Sequence, residues 1–148
     1  MTPNERAFLD MLAVSEGTKG HGDDGYNVLV GGGLFHDYSH HPNVLTRLNS
    51  AGLKSTAAGR YQFLKRTWDA LALKLNLRDF SPAAQDIGCL ELIAERGALA
   101  DVNAGRFADA VAKCAPIWAS LPGAGYGQRE NAIQSLQYAY VRAGGTLA

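Results

Sequence analysis

The chain of 148 residues has no excess charge of either sign, since 14 Lys and Arg balance 14 Asp and Glu. That balance argues against a strong polyanion binder, so no nucleic-acid partner is expected. Recognition falls instead to local hydrogen bonds and stacking. Cysteine is scarce: Cys89 and Cys114 lie far apart within apolar stretches and form no metal-type pair. Free buried thiols are expected from the burial preference of cysteine. No apolar run reaches the roughly 18 residues a membrane span needs, so stable membrane insertion is not expected. The N-terminus lacks a basic region followed by an apolar core, so no secretory signal peptide is expected. Phosphate-cradling loops are also missing. Gly31-Gly32-Gly33 lacks the strand-then-helix context, and Gly123 to Gly127 carries no Lys-Ser/Thr pair, so no cofactor is expected.

What is present is an ordinary globular composition, 47% hydrophobic and 19% charged, enough for one domain over 1–148 with a real core. Thr2, Pro3 and Glu5 read as an N-cap, a first-turn proline and the third position of a capping box. Two strands are expected at Tyr26-Asn27-Val28-Leu29-Val30 and Leu34-Phe35-His36-Asp37-Tyr38, joined by the three glycines. Val44 to Leu48 is too short to assign. Leu64, Trp68, Leu71 and Leu75 mark a helical face, and Ser81-Pro82 starts another helix that runs to Gly97. The stripe Phe107, Val111, Cys114 and Trp118 is interrupted near Lys113 by Pro116. Ile133, Leu136 and Tyr140 mark a last helix before Gly144-Gly145. The sum is an α+β class, mainly helical with a small antiparallel sheet, expected as two lobes flanking a cleft. The sheet-containing lobe is expected over approximately 19–58.

Chemistry is expected first at Ser15-Glu16-Gly17-Thr18. Leu9, Leu12, Ala13 and Glu16 share one helix face, which sets a carboxylate at the end of a core-facing stripe. Gly17 suits the position just past a helix C-terminus. Partial desolvation and the negative end of the helix dipole both favour the protonated acid there, and a neutral carboxylic acid can donate a proton. The plainer alternative is a surface Glu at a frayed helix end. His36 and His40, with Asp37 between them, suggest zinc, yet they fall in strand and turn and lack the His-Glu-x-x-His pattern. No metal site is expected; solvated or hydrogen-bonded histidines account for the set. Tyr26, Tyr38, Tyr61-Gln62 and Tyr126 with Gln128 could stack on and hydrogen-bond sugars, or else serve as half-buried core residues. Tyr126, in a glycine-rich loop, favours the exposed role.

These blocks carry a resemblance. Ala7 to Ala13 running into Ser15-Glu16-Gly17-Thr18, Val30-Gly31-Gly32, Asp37-Tyr38-Ser39, Ala58-Gly59-Arg60-Tyr61-Gln62, Asp79-Phe80-Ser81-Pro82, Glu95 to Leu99 and Ile117 to Gln128 stand in order along nearly the whole chain. Together they resemble the bacteriophage lambda endolysin (lambda lysozyme) family of peptidoglycan lytic transglycosylases. The resemblance implies a lysozyme-like fold and cleavage of the β-1,4 bond from N-acetylmuramic acid to N-acetylglucosamine with formation of 1,6-anhydro ends. It places the single catalytic acid on Glu16 and substrate contacts on Ser55, Thr56, Tyr61, Gln62 and Tyr126, with Gln128 beside the last. Two departures from the family stand out: a shorter Lys19–Gly25 loop, which would alter subsite preferences if it touches the glycan, and one extra residue in Asn49-Ser50-Ala51-Gly52, just before Ser55-Thr56.

Two rivals stay open at this point. A hydrolytic lysozyme would pair Glu16 with Asp37 or Asp24, Asp23 being a further carboxylate nearby. A non-catalytic module would use the tyrosines as a glycan platform. The resemblance further implies accumulation in the host cytoplasm, release to the wall through a separate holin lesion, and peptidoglycan strands as the partner of a monomer.

Overall fold

The computed structural model describes residues 1–125 and 130–148. Helix α1 covers Pro3–Glu16 and begins as its sequence dictates. The Thr2 hydroxyl accepts from the Glu5 N–H, and the Glu5 carboxylate accepts in return from the Thr2 N–H. It ends at Gly17, whose φ of 77° is left-handed and cheap only for glycine. A hairpin of two short strands follows, β1 (Thr46–Arg47) and β2 (Lys54–Ser55), antiparallel with Thr46 opposite Ser55. The other elements are α2 (Lys65–Leu75), α3 (Pro82–Glu95), α4 (Leu99–Ala104), α5 (Phe107–Cys114) and α6 (Ile133–Arg142). The class is α+β, as the sequence predicts.

The chain divides into two units. The first comprises Met1–Gly17 and Cys89–Ala148. Its core is α1 packed on α4 and α6, with the Phe8 and Phe107 rings 6.1 Å apart and Phe107 4.9 Å from Tyr140. The buried face of α1 is Ala7, Phe8, Leu9, Met11, Leu12 and Ala13, which anchors the helix and so fixes where its last residues stand. Cys89 and Cys114 are buried and not in a disulfide.

The second unit, Thr18–Gly88, extends past the residue 58 expected for the sheet-containing part. Its core is aromatic: Trp68 lies 4.7 Å from Phe80 and 5.0 Å from Phe63, ring centre to ring centre. Within it runs a polar network. Arg60, 1% exposed, donates to the Asp24 carboxylate and carbonyl and to the Tyr61 hydroxyl. Tyr26 and Tyr61 both donate to Asp86, at 2.9 and 2.6 Å. Such a network stabilises only when its members are satisfied, and Gln85 helps by accepting from the Arg60 N–H and donating to the Tyr26 and Phe80 carbonyls.

The sheet is not where the sequence predicts it. Residues 26–38 hold only one isolated bridge of their own, Val28 to Leu34. Around that bridge the Leu29 N–H donates to the Gly33 carbonyl and the Phe35 N–H to the Asn27 carbonyl, while the segment at 57–59 takes two further groups: the Val30 N–H donates to the Ala57 carbonyl, and the Gly59 N–H donates to the Val28 carbonyl. Gly31 and Gly32, at φ of 89° and 100°, turn the chain before a ladder can extend.

Candidate active site

Because Gly17 stops α1 one residue later, Glu16 ends the helix with its carboxyl partly buried. Burial destabilises the charged form and pushes the Glu16 pKa up to about 6, and a hydrogen bond from Ser120 restrains the rise. The Ser120 hydroxyl donates to Glu16 Oε2 at 2.5 Å. Behind it, the Ser15 and Ser120 hydroxyl oxygens lie 2.7 Å apart. Asn131 closes the cluster: its Nδ2 reaches the Ser15 carbonyl, the Ser15 hydroxyl and the Ser120 carbonyl at 3.1, 3.2 and 3.3 Å. The Asn131 N–H also donates to the Ser120 carbonyl at 2.8 Å, which clips the two segments together. The assembly is a carboxylic acid that holds its proton close to neutrality, on a rigid helix end, with its rotamer set by one hydroxyl. It can give a proton to a leaving oxygen and take one back.

Of the residues around it, Ser15 joins Glu16 through Ser120, as its place in the Ser-Glu-Gly-Thr stretch invites. Thr18 does not: it is buried in the second unit, donating to the Arg60 carbonyl at 2.6 Å. Ser120 and Asn131 were not legible in the sequence. They stand more than a hundred residues from Glu16, in no spacing that marks an active site.

Within the second unit, Ser55 and Thr56 line a groove of about 440 Å³ with Leu45, Lys54, Leu64 and Arg66 among its other walls. Both hydroxyls accept from backbone, Ser55 from Ala57 and Thr56 from Lys65, so their oxygens are fixed in place. Gln62 is partly buried and its amide donates to the Val28 and Gly59 carbonyls, leaving its oxygen for other partners. Tyr61 needs a correction. It is 0% exposed and its hydroxyl is committed to Asp86, so it offers no ring face to a sugar; the Tyr-Gln pair is core, then rim. Tyr126 and Gln128 lie outside the described residues.

The carboxylates considered as catalytic partners are engaged elsewhere. Burial works against ionised Asp24, but hydrogen bonds from the Gly20 N–H and Lys19, with the charges of Arg60 and Lys19, outweigh it and hold its carboxyl below the usual range. Asp37 is exposed and held low by hydrogen bonding with Ser39. Asp23 accepts from the Tyr38 hydroxyl at 2.9 Å. The histidines are spent similarly. His41 Nδ1 accepts from the Asn43 N–H, so Nε2 carries the proton and donates to the Phe63 carbonyl at 2.8 Å. His40 bonds Ser39, and His36 is exposed. Among the described residues, no three of His, Cys, Asp or Glu gather around a metal-sized space.

Comparison with known proteins shows the family and the fold. A protein-family model described as Endolysin matches residues 6–147. The chain is 53% identical over 146 residues to the endolysin of Escherichia phage lambda, covering 96% of this chain and 92% of that protein. It is 50% identical over 157 residues to the endolysin of Escherichia phage P2, covering 98% of this chain and 95% of the relative. Among solved structures, bacteriophage lambda lysozyme complexed with a chitohexasaccharide superposes with a TM-score of 0.97 at 51% identity, over 100% of this chain and 98% of that one. A second structure of the lysozyme from bacteriophage lambda gives a TM-score of 0.92 at 50% identity, with the same coverage.

Proposed function

The chain belongs to the endolysin family, and from that premise we propose that it is a peptidoglycan lytic transglycosylase with Glu16 as its one catalytic acid and base. The observation that carries this is the protonatable Glu16 carboxyl, its pKa about 6, held by Ser120 at the buried end of α1. The chitohexasaccharide bound by the similar lambda lysozyme supports a glycan as the ligand here.

In this reaction, protonated Glu16 donates to the glycosidic oxygen as the bond from C1 of N-acetylmuramic acid breaks. The N-acetylglucosamine side leaves with that proton on its new hydroxyl. The Glu16 carboxylate then takes the proton of the muramyl C6 hydroxyl, whose oxygen bonds to C1 and closes the 1,6-anhydro ring. The enzyme returns to its starting protonation state and no water is consumed. The sugar's own acetamido group can stabilise C1 between the two steps. Two-carboxylate hydrolases need a second group as nucleophile or as base for water. The commitment of Asp24 to Arg60, Lys19 and Gly20 favours the one-carboxylate route over hydrolysis. Ser55 and Thr56, with their oriented oxygens, and the Gln62 carbonyl are proposed to contact the glycan, together with Tyr126 and Gln128.

The same reading makes the protein a monomer that waits in the host cytoplasm and reaches the wall once a holin opens the membrane. In keeping with it, no helix among the described residues is long and apolar enough to cross a membrane. Replacing the acid tests the assignment. Glu16→Gln should bind cell walls yet lose about 10²-fold or more of the clearing rate; clearing at the parent rate would remove Glu16 from the chemistry.

A further inference from the structure

The Ser120 hydroxyl has one proton, and it points to Glu16 Oε2. The short contact between Ser120 and Ser15 therefore has Ser15 as donor. The Ser15 oxygen in turn faces Asn131 Nδ2, whose identity as nitrogen is fixed by the two backbone carbonyls it also contacts, because carbonyls only accept; with two hydrogens for three acceptors, one N–H is shared between the Ser15 hydroxyl and a carbonyl. We infer that Asn131, Ser15 and Ser120 form a one-way chain of hydrogen bonds that keeps Glu16 Oε2 an acceptor and reserves Oε1 for the transferable proton.

The inference rests on Glu16 being the catalytic acid, and it adds what selects between its two oxygens. The chain would reverse if Glu16 donated from Oε2 to Ser120, Ser120 to Ser15, and Ser15 onward. Asn131 blocks that last step: the Ser15 hydroxyl would meet an N–H instead of a lone pair. With the donor end fixed, Oε2 accepts whether Glu16 is neutral or ionised. The acid proton must then reside on Oε1, where it leaves in the first step and returns in the second. Asn131 and Ser15 are thus positioning residues, acting through Ser120 without touching the reacting atoms. The dipoles of all three point at the carboxylate and polarise one another, so they also stabilise the ionised form that exists between the two steps.

The test is a carbon NMR titration of the Glu16 carboxyl in the full chain, run beside the pH dependence of wall clearing. Ser120→Ala should move the titration midpoint upward, because the ionised form loses its donor, and Ser120→Thr should restore it. Ser15→Ala and Asn131→Ala should move it the same way by less, with kcat falling about tenfold and KM unchanged. A midpoint that moves in Ser120→Ala but stays put in both other variants would overturn the chain and leave a lone serine contact. Should Asn131→Ala fail to fold, Ser15→Ala, which removes one hydroxyl, decides the matter alone. The titration reads the carboxyl and not the reaction, so it stands apart from the Glu16→Gln clearing assay: failure there refutes the function, failure here refutes the one-way chain.

Discussion

Removing the charge from Glu16 should stabilise the fold, and the gain should vanish in acid. Burial raises the Glu16 pKa from 4.5 to about 6, against the restraint of Ser120, so the folded chain holds this proton more tightly than the unfolded chain does. Below about pH 4.5 both states are protonated and Glu16 carries no penalty. As pH rises through the window from 4.5 to about 6 the folded state must give up a proton it prefers to keep, and stability falls. Above about 6 the loss is complete, at most about 2 kcal/mol. The amide of a Glu16→Gln variant would keep an oxygen for Ser120 and never ionise. Denaturant unfolding of both proteins at about pH 4 and about pH 8 should therefore give near-equal stabilities in acid. In base the Glu16→Gln protein should lead by up to about 2 kcal/mol, equivalent to roughly 4–8 °C in Tm for a chain of this size. Asp24, Asp37 and Asp79, whose lowered pKa values act in the opposite direction, are common to both proteins and cancel in the difference. A difference that stays constant with pH, or one that favours Glu16 in base, would refute the claim that burial keeps this acid protonated.

The same pKa shapes the rate. The kcat/KM for wall clearing should fall about tenfold for each pH step above about 6, without the acid limb that a second catalytic carboxylate would add; a bell-shaped profile would restore Asp24 or Asp37 as a partner. Tyr61→Phe deletes a hydroxyl that donates to Asp86 and accepts from Arg60, so unfolding should show a loss of about 1–3 kcal/mol while KM is unchanged. Unaltered stability with a raised KM would return Tyr61 to the sugar-binding surface.

Local chemistry was the most legible part of the sequence. The capping box at Thr2 and Glu5 and the left-handed Gly17 delimit α1 as their residue types require, and the helical period alone sets Glu16 at the end of a buried stripe. The α2 stripe and the Ser81-Pro82 start were equally plain, since a 3.6-residue period and a cap are properties of neighbouring residues. What failed depended on distant partners. Residues 26–38 have the alternation and glycines of a hairpin and pair through one bridge, Val28 to Leu34, but the Val30 N–H and the Val28 carbonyl go to Ala57 and Gly59 and no ladder extends. Tyr61 has a sugar-binding side chain, but Asp86, well along the chain in α3, draws it into the core. Helix α4 has six residues and no side-chain cap, so it carries too little pattern to announce itself. In the candidate site, the acid was readable and its setting was not: Ser120 meets Glu16, and Asn131 meets Ser15 and Ser120, only because folding brings the end of α1 to the segment before α6.

The central claim is that one carboxyl suffices because the sugar's own C6 hydroxyl replaces water. Mass analysis of peptidoglycan digested in heavy-oxygen water tests it most directly. Transglycosylation predicts muramyl ends one water lighter than hydrolysis products and free of heavy oxygen. Full-mass reducing ends that carry the label would contradict it.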